Sequence, residues 1–125
     1  MMPRSPSSRK KAERRGRAGE VLAALYLRAQ FFIIRASRIK TPVGEIDLVA
    51  ERGNLTVFVE VKVRASKHKE ADALAAVNKH RISRAANYYL TKNPHLADRF
   101  LRFDVIFLAP WSWPRHVRGA FENLE

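Results

Sequence analysis

Two hydrophobic periods alternate along the chain, and the changes from one to the other divide it into elements. From Gly16 to Gln30 apolar residues recur at helical spacing. Val21, Leu22, Leu25, Tyr26 and Ala29 share one face, which predicts an amphipathic helix with that face inward. Phe31 to Ile34 is a short β-prone run, and Thr41-Pro42-Val43-Gly44 reads as a turn. A strand is predicted from Glu45 to Glu51 and a hairpin turn at Arg52-Gly53-Asn54, with a second strand from Leu55 to Arg64. Ala71 to Thr91 returns to the helical period, with Leu74, Ala75, Asn78, Ile82, Ala85, Ala86 and Tyr89 in phase, and Asn93-Pro94 stops it. Phe100 to Leu108 predicts another strand, Pro110 to Pro114 a loop, and Val117 to Phe121 a last short strand. Residues 1–15 carry neither period and are rich in Ser, Pro, Lys and Arg, so they read as a disordered basic arm before a single domain over residues 16–125.

Helix, three strands, long helix and strand in that order predict an α/β sandwich, with a central mixed sheet flanked by helices. Side chains alternate along a strand. Val57, Val59, Val61 and Val63 therefore share a core face, and Phe58, Glu60, Lys62 and Arg64 share the other. In the preceding strand Ile46, Leu48 and Ala50 fall on one face, and Glu45, Asp47 and Val49 on the other. A hairpin at Gly53-Asn54 brings Asp47 near Glu60. Lys62 lies about 6.5–7 Å along the strand from Glu60, pointing the same way.

Composition narrows the class. A length of 125 residues with 46% hydrophobic content suits one domain. The longest uncharged apolar run, Val21 to Leu27, is far below the roughly 20 residues of a spanning helix. No apolar segment follows the basic N-terminus closely enough for a secretory signal, so a cytoplasmic protein without a membrane partner is expected. Cysteine is absent, which removes disulfides, thiolate metal sites and cysteine nucleophiles.

Charge adds a partner. Lys and Arg total 24 against 12 acidic residues, a net charge of +12. Residues 1–40 hold 11 of the basic residues and 2 of the acidic ones, so most of the excess lies in the N-terminal third. Such an arm concentrates a polyanion by counterion release, or serves as a solvated tail. Arg14, Arg15 and Arg17 lie where the arm meets the first helix. Arg64 ends the second strand of the hairpin. Lys79, Arg81 and Arg84 lie off the apolar face of the long helix, where they would contact phosphates or face solvent.

Two or three carboxylates supply hard oxygen ligands for Mg²⁺ or Mn²⁺ without imidazole or thiolate. Such an ion would polarise a phosphoryl oxygen and acidify a bound water, and a neighbouring ammonium would stabilise the charge that develops. Asp47, Glu60 and Lys62 have the residue types and spacing for this chemistry. Glu20, near the start of the first helix, is the candidate third carboxylate. A sheet-edge ion pair of Glu60 with Lys62 or Arg64, beside a solvated Asp47, accounts for the same residues without chemistry.

The run Gly44-Glu45-Ile46-Asp47-Leu48-Val49-Ala50, followed by Val57-Phe58-Val59-Glu60-Val61-Lys62-Val63-Arg64, resembles the YraN family of small bacterial proteins. Gly16-Arg17-Ala18-Gly19-Glu20, Lys79-His80-Arg81, Arg102-Phe103-Asp104-Val105 and Ala120-Phe121 extend the resemblance over most of the chain. It implies the restriction-endonuclease-like, PD-(D/E)-x-K fold, a three-layer sandwich, and a similarity to Holliday-junction resolvases. It also implies Asp47 and Glu60 as metal carboxylates, Lys62 as the catalytic lysine and Glu20 as the helix carboxylate of the resolvase-like branch. Ile46 stands where the named motif has proline, and the aromatic-glycine step that follows the lysine strand in many members is lacking after Arg64.

The remaining signals are weaker. His68, His80, His95 and His116 have no zinc-like pairing and read as scattered surface residues. No nucleophile elbow, P-loop or dinucleotide fingerprint is present. Trp111 and Trp113 would stack on bases or pack over the sheet edge. Asp104 would support the site or pair with Arg102. The expectation is a metal-dependent nuclease acting on DNA, with branched or flapped structures as candidate substrates; the oligomeric state is left open, a homodimer included. The alternatives are a non-catalytic nucleic-acid-binding protein, or a scaffold for a repair or uptake partner, on the same fold.

Overall fold

Leu55–Val63 buries side chains on both of its faces, Val57 and Val59 on one and Phe58 on the other, so it needs a covering layer on each side. The computed structural model, which describes residues 6–64 and 77–123 and side chains from residue 16 onward, supplies both layers. Its elements are α1 (Pro6–Ala29), β1 (Ile33–Thr41), β2 (Gly44–Arg52), β3 (Leu55–Val63), α2 (Lys79–Lys92), a 3-10 turn (Pro94–Asp98), β4 (Phe100–Leu108) and β5 (Arg115–Phe121). The five strands form one sheet in sequence order. β3 and β4 run parallel, and every other neighbouring pair is antiparallel, which makes the sheet mixed.

The two helices cover opposite faces. Ala23, Ala24 and Leu27 of α1 pack with Leu48, Ala50, Val57, Val59, Ile106 and Leu108. Ile82, Ala85 and Ala86 of α2 pack with Ile46, Val49, Phe58, Phe103, Val105 and Phe107. The result is the three-layer α/β sandwich expected from the order of elements. No helix among the described residues is long and apolar enough to cross a membrane.

Several local expectations change. The inward face of α1 is not the one its largest residues mark: Val21, Leu22 and Leu25 are more than half exposed, while Ala23, Ala24 and Leu27 are buried. Small residues win because the helix sits very close to the sheet. A Cβ on Gly19 would come within 2.6 Å of the Val63 side chain. Helix α1 also begins at Pro6 rather than at Gly16, so residues 6–15 are helical in backbone. Proline suits a first helical position, and the Lys, Arg, Ala and Glu that follow are good helix formers. Residues 1–5 lie outside the described residues.

The long helix is shorter at its N-terminus than its periodicity suggests. Asn78 is not on its apolar face but is its N-cap, with the side chain accepting the Arg81 N–H at 3.1 Å. The predicted helical segment 71–76 lies outside the described residues, as does His68. Strand β1 continues well past Ile34, because it pairs with β2 as far as Thr41 and Gly44. The predicted core face of β3 fades at its end, where Val63 is 39% exposed.

Candidate functional site

From the hairpin at Gly53, β2 and β3 pair back as far as Leu48 and Val59, and their register ends there. The next residues in that register are Asp47 and Glu60. Instead of a further backbone bond, the Asp47 carboxylate accepts the Val61 N–H at 2.8 Å. Strand β2 stays with β1 down to Gly44 while it parts from β3. The fork is also where alternation fails. Ile46 joins the α2-side core with Val49, not the α1-side core of Leu48 and Ala50, with which a regular strand would group it. Arg38, between the β1 residues that pair with Leu48 and Ile46, has φ 52. A strand that loses one neighbour and faces an irregular residue on the other is no longer held to a period of two.

The fork opens a cleft of about 260 Å³ lined by Glu45, Asp47, Glu60 and Lys62 from the strands and Asn78, Arg81 and Ile82 from α2. Its width is set by a close approach. A Cβ on Gly44, at φ +156, would lie 2.6 Å from the Arg81 carbonyl oxygen, so only glycine lets β2 start this near the first turn of α2. The Asn78 cap fixes where that turn begins.

Within the cleft Lys62 Nζ lies 3.4 Å from Glu60 Oε1, and both side chains are largely buried. Burial and the neighbouring Asp47 charge push the Glu60 carboxyl up to about 7, although Lys62 pulls the other way. Burial also raises the Asp47 carboxyl, against the opposing effects of the Val61 N–H and Lys62. Two desolvated acids thus share one ammonium, and their remaining negative charge calls for a proton or a cation.

Glu20 stands beside this cleft, not in its lining. Its carboxylate lies 3.5 Å from Arg38 Nε, in a groove on the α1 side that includes Arg17 and Leu48. Burial and the Asp47 charge raise its carboxyl, and Arg38 and Arg17 oppose them. Among the described residues no three His, Cys, Asp or Glu side chains form a group able to hold a metal ion. The structure therefore joins Asp47, Glu60 and Lys62, and sets Glu20 one layer away.

Of the basic candidates, Arg81 lines the cleft, whereas Lys79 and Arg84 belong to α2 but not to the lining. Arg64 leaves the end of β3 with its N–H bonded to the Leu108 carbonyl at 2.8 Å. Arg17 is in the Glu20 groove. Arg14 and Arg15 fall within α1, with side chains outside the described residues. Glu45 and Asn78 are lining residues that sequence reading gave no role. The signal for Asn78 was local: an asparagine directly before a helical run, three residues ahead of Arg81.

The sequence profile described as uncharacterised protein family UPF0102 matches residues 19–108, a span that holds every residue of the cleft. A UPF0102 protein of Mesorhizobium japonicum is 44% identical over 121 residues, covering 97% of this chain and 97% of its own. One from Rhodopseudomonas palustris is 48% identical over 111 residues, covering 89% of this chain and 82% of its own. The chain belongs to the UPF0102 family. This is the family that the sequence motifs resemble under the name YraN.

In this UPF0102 chain Asp104 is a structural centre on the α1 side of the sheet, apart from the cleft lining. It is fully buried and accepts from Arg102 Nε at 2.7 Å, Arg102 Nη2 at 2.8 Å and the Gly119 N–H at 3.0 Å. His116 Nε2 lies 2.6 Å from Asp104 Oδ2, the oxygen that also accepts from Arg102 Nη2, and His116 Nδ1 lies 3.4 Å from the Tyr26 hydroxyl of α1. Burial pushes the Asp104 carboxyl up, but His116, Arg102 and Gly119 together hold it below its usual value. His116 is thus no surface histidine: its side chain is 2% exposed and ties β5 to β4.

Proposed function

We propose that this UPF0102 protein is a divalent-metal-dependent nuclease that hydrolyses phosphodiester bonds in DNA. The observation that carries the reading is the convergence of Asp47, Glu60 and Lys62 in one cleft at the β2–β3 fork, with Arg81 on its opposite wall. A structural ion pair would need only Glu60 and Lys62. It would not need a second, half-buried carboxylate turned toward them at the cost of a broken ladder. A phosphate-binding module has still less use for these acids, which would repel its ligand.

The donor set fits Mg²⁺ or Mn²⁺. Both ions take hard oxygen ligands, and Mg²⁺ is commonly held by one or two carboxylates, with waters and substrate phosphates completing the octahedron. Asp47 and Glu60 are two such carboxylates, and their desolvation leaves negative charge for the ion to neutralise. Glu20 adds charge from the α1 side without being required as a direct ligand. When bound, the ion supplies Lewis acidity at the phosphoryl oxygen and lowers the pKa of a water.

The protein's own groups perform the remaining tasks. Lys62, held by Glu60, presents its ammonium to a non-bridging oxygen as negative charge builds there, or orients the attacking water. Arg81 receives the flanking phosphate at the mouth of the cleft. The attacking water gives up a proton to solvent as its oxygen bonds to phosphorus, the bond from phosphorus to the leaving sugar oxygen breaks, and that oxygen takes up a proton from solvent. Basic residues outside the cleft, Arg64, Lys79, Arg84, Arg17, Arg14 and Arg15, supply non-specific attraction to the backbone. On this reading the protein works in the cytoplasm.

The test is a divalent-metal titration against labelled linear, flapped and four-way DNA. Metal-dependent cleavage of at least one substrate is the expected result. If metal and DNA bind without cleavage of any substrate, the non-catalytic binding protein on the same fold becomes the correct reading.

A further inference from the structure

The two most exposed large apolar side chains among the described residues take no part in hydrolysis at the cleft. Trp111 and Trp113, in the loop between β4 and β5, are 103% and 93% exposed. The expectation that they pack over the sheet edge fails. Pro110 and Pro114 bracket the pair, and Trp111 holds φ 61, a left-handed conformation unfavourable to a bulky side chain. The Ser112 N–H closes the turn onto the Ala109 carbonyl at 3.4 Å. Two large aromatic rings are therefore presented to water on a proline-bracketed turn.

The loop stands at the same end of the sheet as the cleft. In the parallel register of β3 and β4, Lys62 pairs with Phe107 and Val63 with Leu108. Trp111 follows Leu108 by three residues, so its backbone is within roughly 11 Å of the row next to Lys62. The loop's own charge is basic. From Ala109 to Gly119 the charged residues are Arg115 and Arg118, both exposed, and Arg64 follows the end of the adjacent strand. The loop also lies beyond the span matched by the family profile, which stops at residue 108.

We propose that Trp111 and Trp113 form a stacking platform for unpaired bases, so that the DNA taken by the cleft carries a single-stranded segment. This substrate class rests on the nuclease reading. Indole faces stack on any base, and cations beside them hold the backbone, which is the pairing of features that single-strand binding requires. The competing occupant is a second copy of the chain, for which the neighbouring apolar groove of Gly19, Leu22, Val63, Leu108 and Pro110 offers a seat. Charge decides against it: the charged residues of this loop, Arg115 and Arg118, are both basic, so two copies meeting here repel, whereas a polyanion is drawn to the same surface.

The chain has two tryptophans and both lie in this loop, so its tryptophan emission reports on the loop alone. The full chain is titrated in EDTA with oligothymidylate and with a duplex of equal length. Oligothymidylate is expected to quench the emission and the duplex to leave it nearly unchanged. Trp111→Ala and Trp113→Ala should each weaken oligothymidylate binding by roughly 5- to 150-fold, and the Phe variants should recover most of it. The platform is overturned by absence of binding, by binding without quenching, or by alanine variants that bind as the parent does. It is also overturned if the emission shifts to the blue with protein concentration alone as dimers form. Cleavage is scored separately with metal on the parent chain. Quenching without cleavage sinks the nuclease and leaves the platform, and cleavage without quenching does the reverse.

Discussion

The Asp47 carboxylate accepts the Val61 N–H at 2.8 Å, so the acid is fastened to the neighbouring strand next to Glu60. The bond does two things at once. It satisfies a backbone donor that has lost its ladder partner, and it fixes a charge at the mouth of the fork. Substitutions separate the two. Asparagine keeps an acceptor oxygen and removes the charge, whereas alanine leaves the Val61 N–H unpaired at a cost of about 1–3 kcal/mol. Urea denaturation without metal should find Asp47→Ala less stable than Asp47→Asn by about that amount. Equal stabilities would mean that the bond contributes nothing.

Glu60 sets a pH dependence. Its carboxyl is raised from an ordinary 4.5 to about 7 in the fold, burial being the main cause. Below pH 4.5 it is protonated in both folded and unfolded chains and costs nothing. Between 4.5 and 7 the unfolded chain ionises first, so stability falls as pH rises, and the full penalty, on the order of 3 kcal/mol, is present above 7. Glu60→Gln should therefore stabilise the metal-free protein at pH 8 and have little effect at pH 4. Thermal melts across that range would contradict the assignment if the variant's gain were the same at both ends.

Gly44 controls the cleft through backbone contact. An added methyl would meet the Arg81 carbonyl, which cannot swing aside as a side chain tip can. Gly44→Ala should cost about 1–3 kcal/mol by overpacking and move α2 away from Glu60 and Lys62. Gly53→Ala, at φ +58 with open space around it, is the control for conformational strain alone. A Gly44→Ala variant no less stable than Gly53→Ala would show that the contact is soft.

The site's strand residues were legible because alternation is a local rule. Glu60 and Lys62 share a face whatever surrounds them, and the Gly53-Asn54 turn fixes which residue of β2 approaches them. What the sequence hid was non-local. Nothing in Ile46-Asp47-Leu48 announces that β2 leaves β3 there, since the fork depends on pairing partners and on the left-handed Arg38 of another strand. The inward face of α1 is hidden from the sequence for a related reason. Hydropathy ranks Val21, Leu22 and Leu25 above Ala23 and Ala24, but contact at the Gly19–Val63 distance rewards small volume. The position of Glu20 against Arg38 follows from that same rotation of the helix.

Residues Arg4, Arg9, Lys10, Lys11, Arg14 and Arg15 should act through phosphate attraction. Replacing all six with glutamine, itself a good helix former, should flatten the plot of log affinity against log salt. The change is at most about 0.9 per lost duplex-phosphate contact. Preference among DNA structures should change little, because phosphate contacts carry no sequence information. An unchanged slope would make the segment a passive tail.

The central claim is that Asp47 holds a metal and Lys62 serves the chemical step. The most direct measurement pairs calorimetric Mn²⁺ binding with single-turnover DNA cleavage on the parent, Asp47→Asn and Lys62→Ala. The account expects Asp47→Asn to lose metal affinity and to recover part of its cleavage in excess Mn²⁺. Lys62→Ala should bind Mn²⁺ as the parent does, yet cleave on the order of 10²–10³ more slowly. A parent that binds no divalent metal and cuts no DNA would contradict the account, as would a Lys62→Ala variant that cuts at the parent's rate.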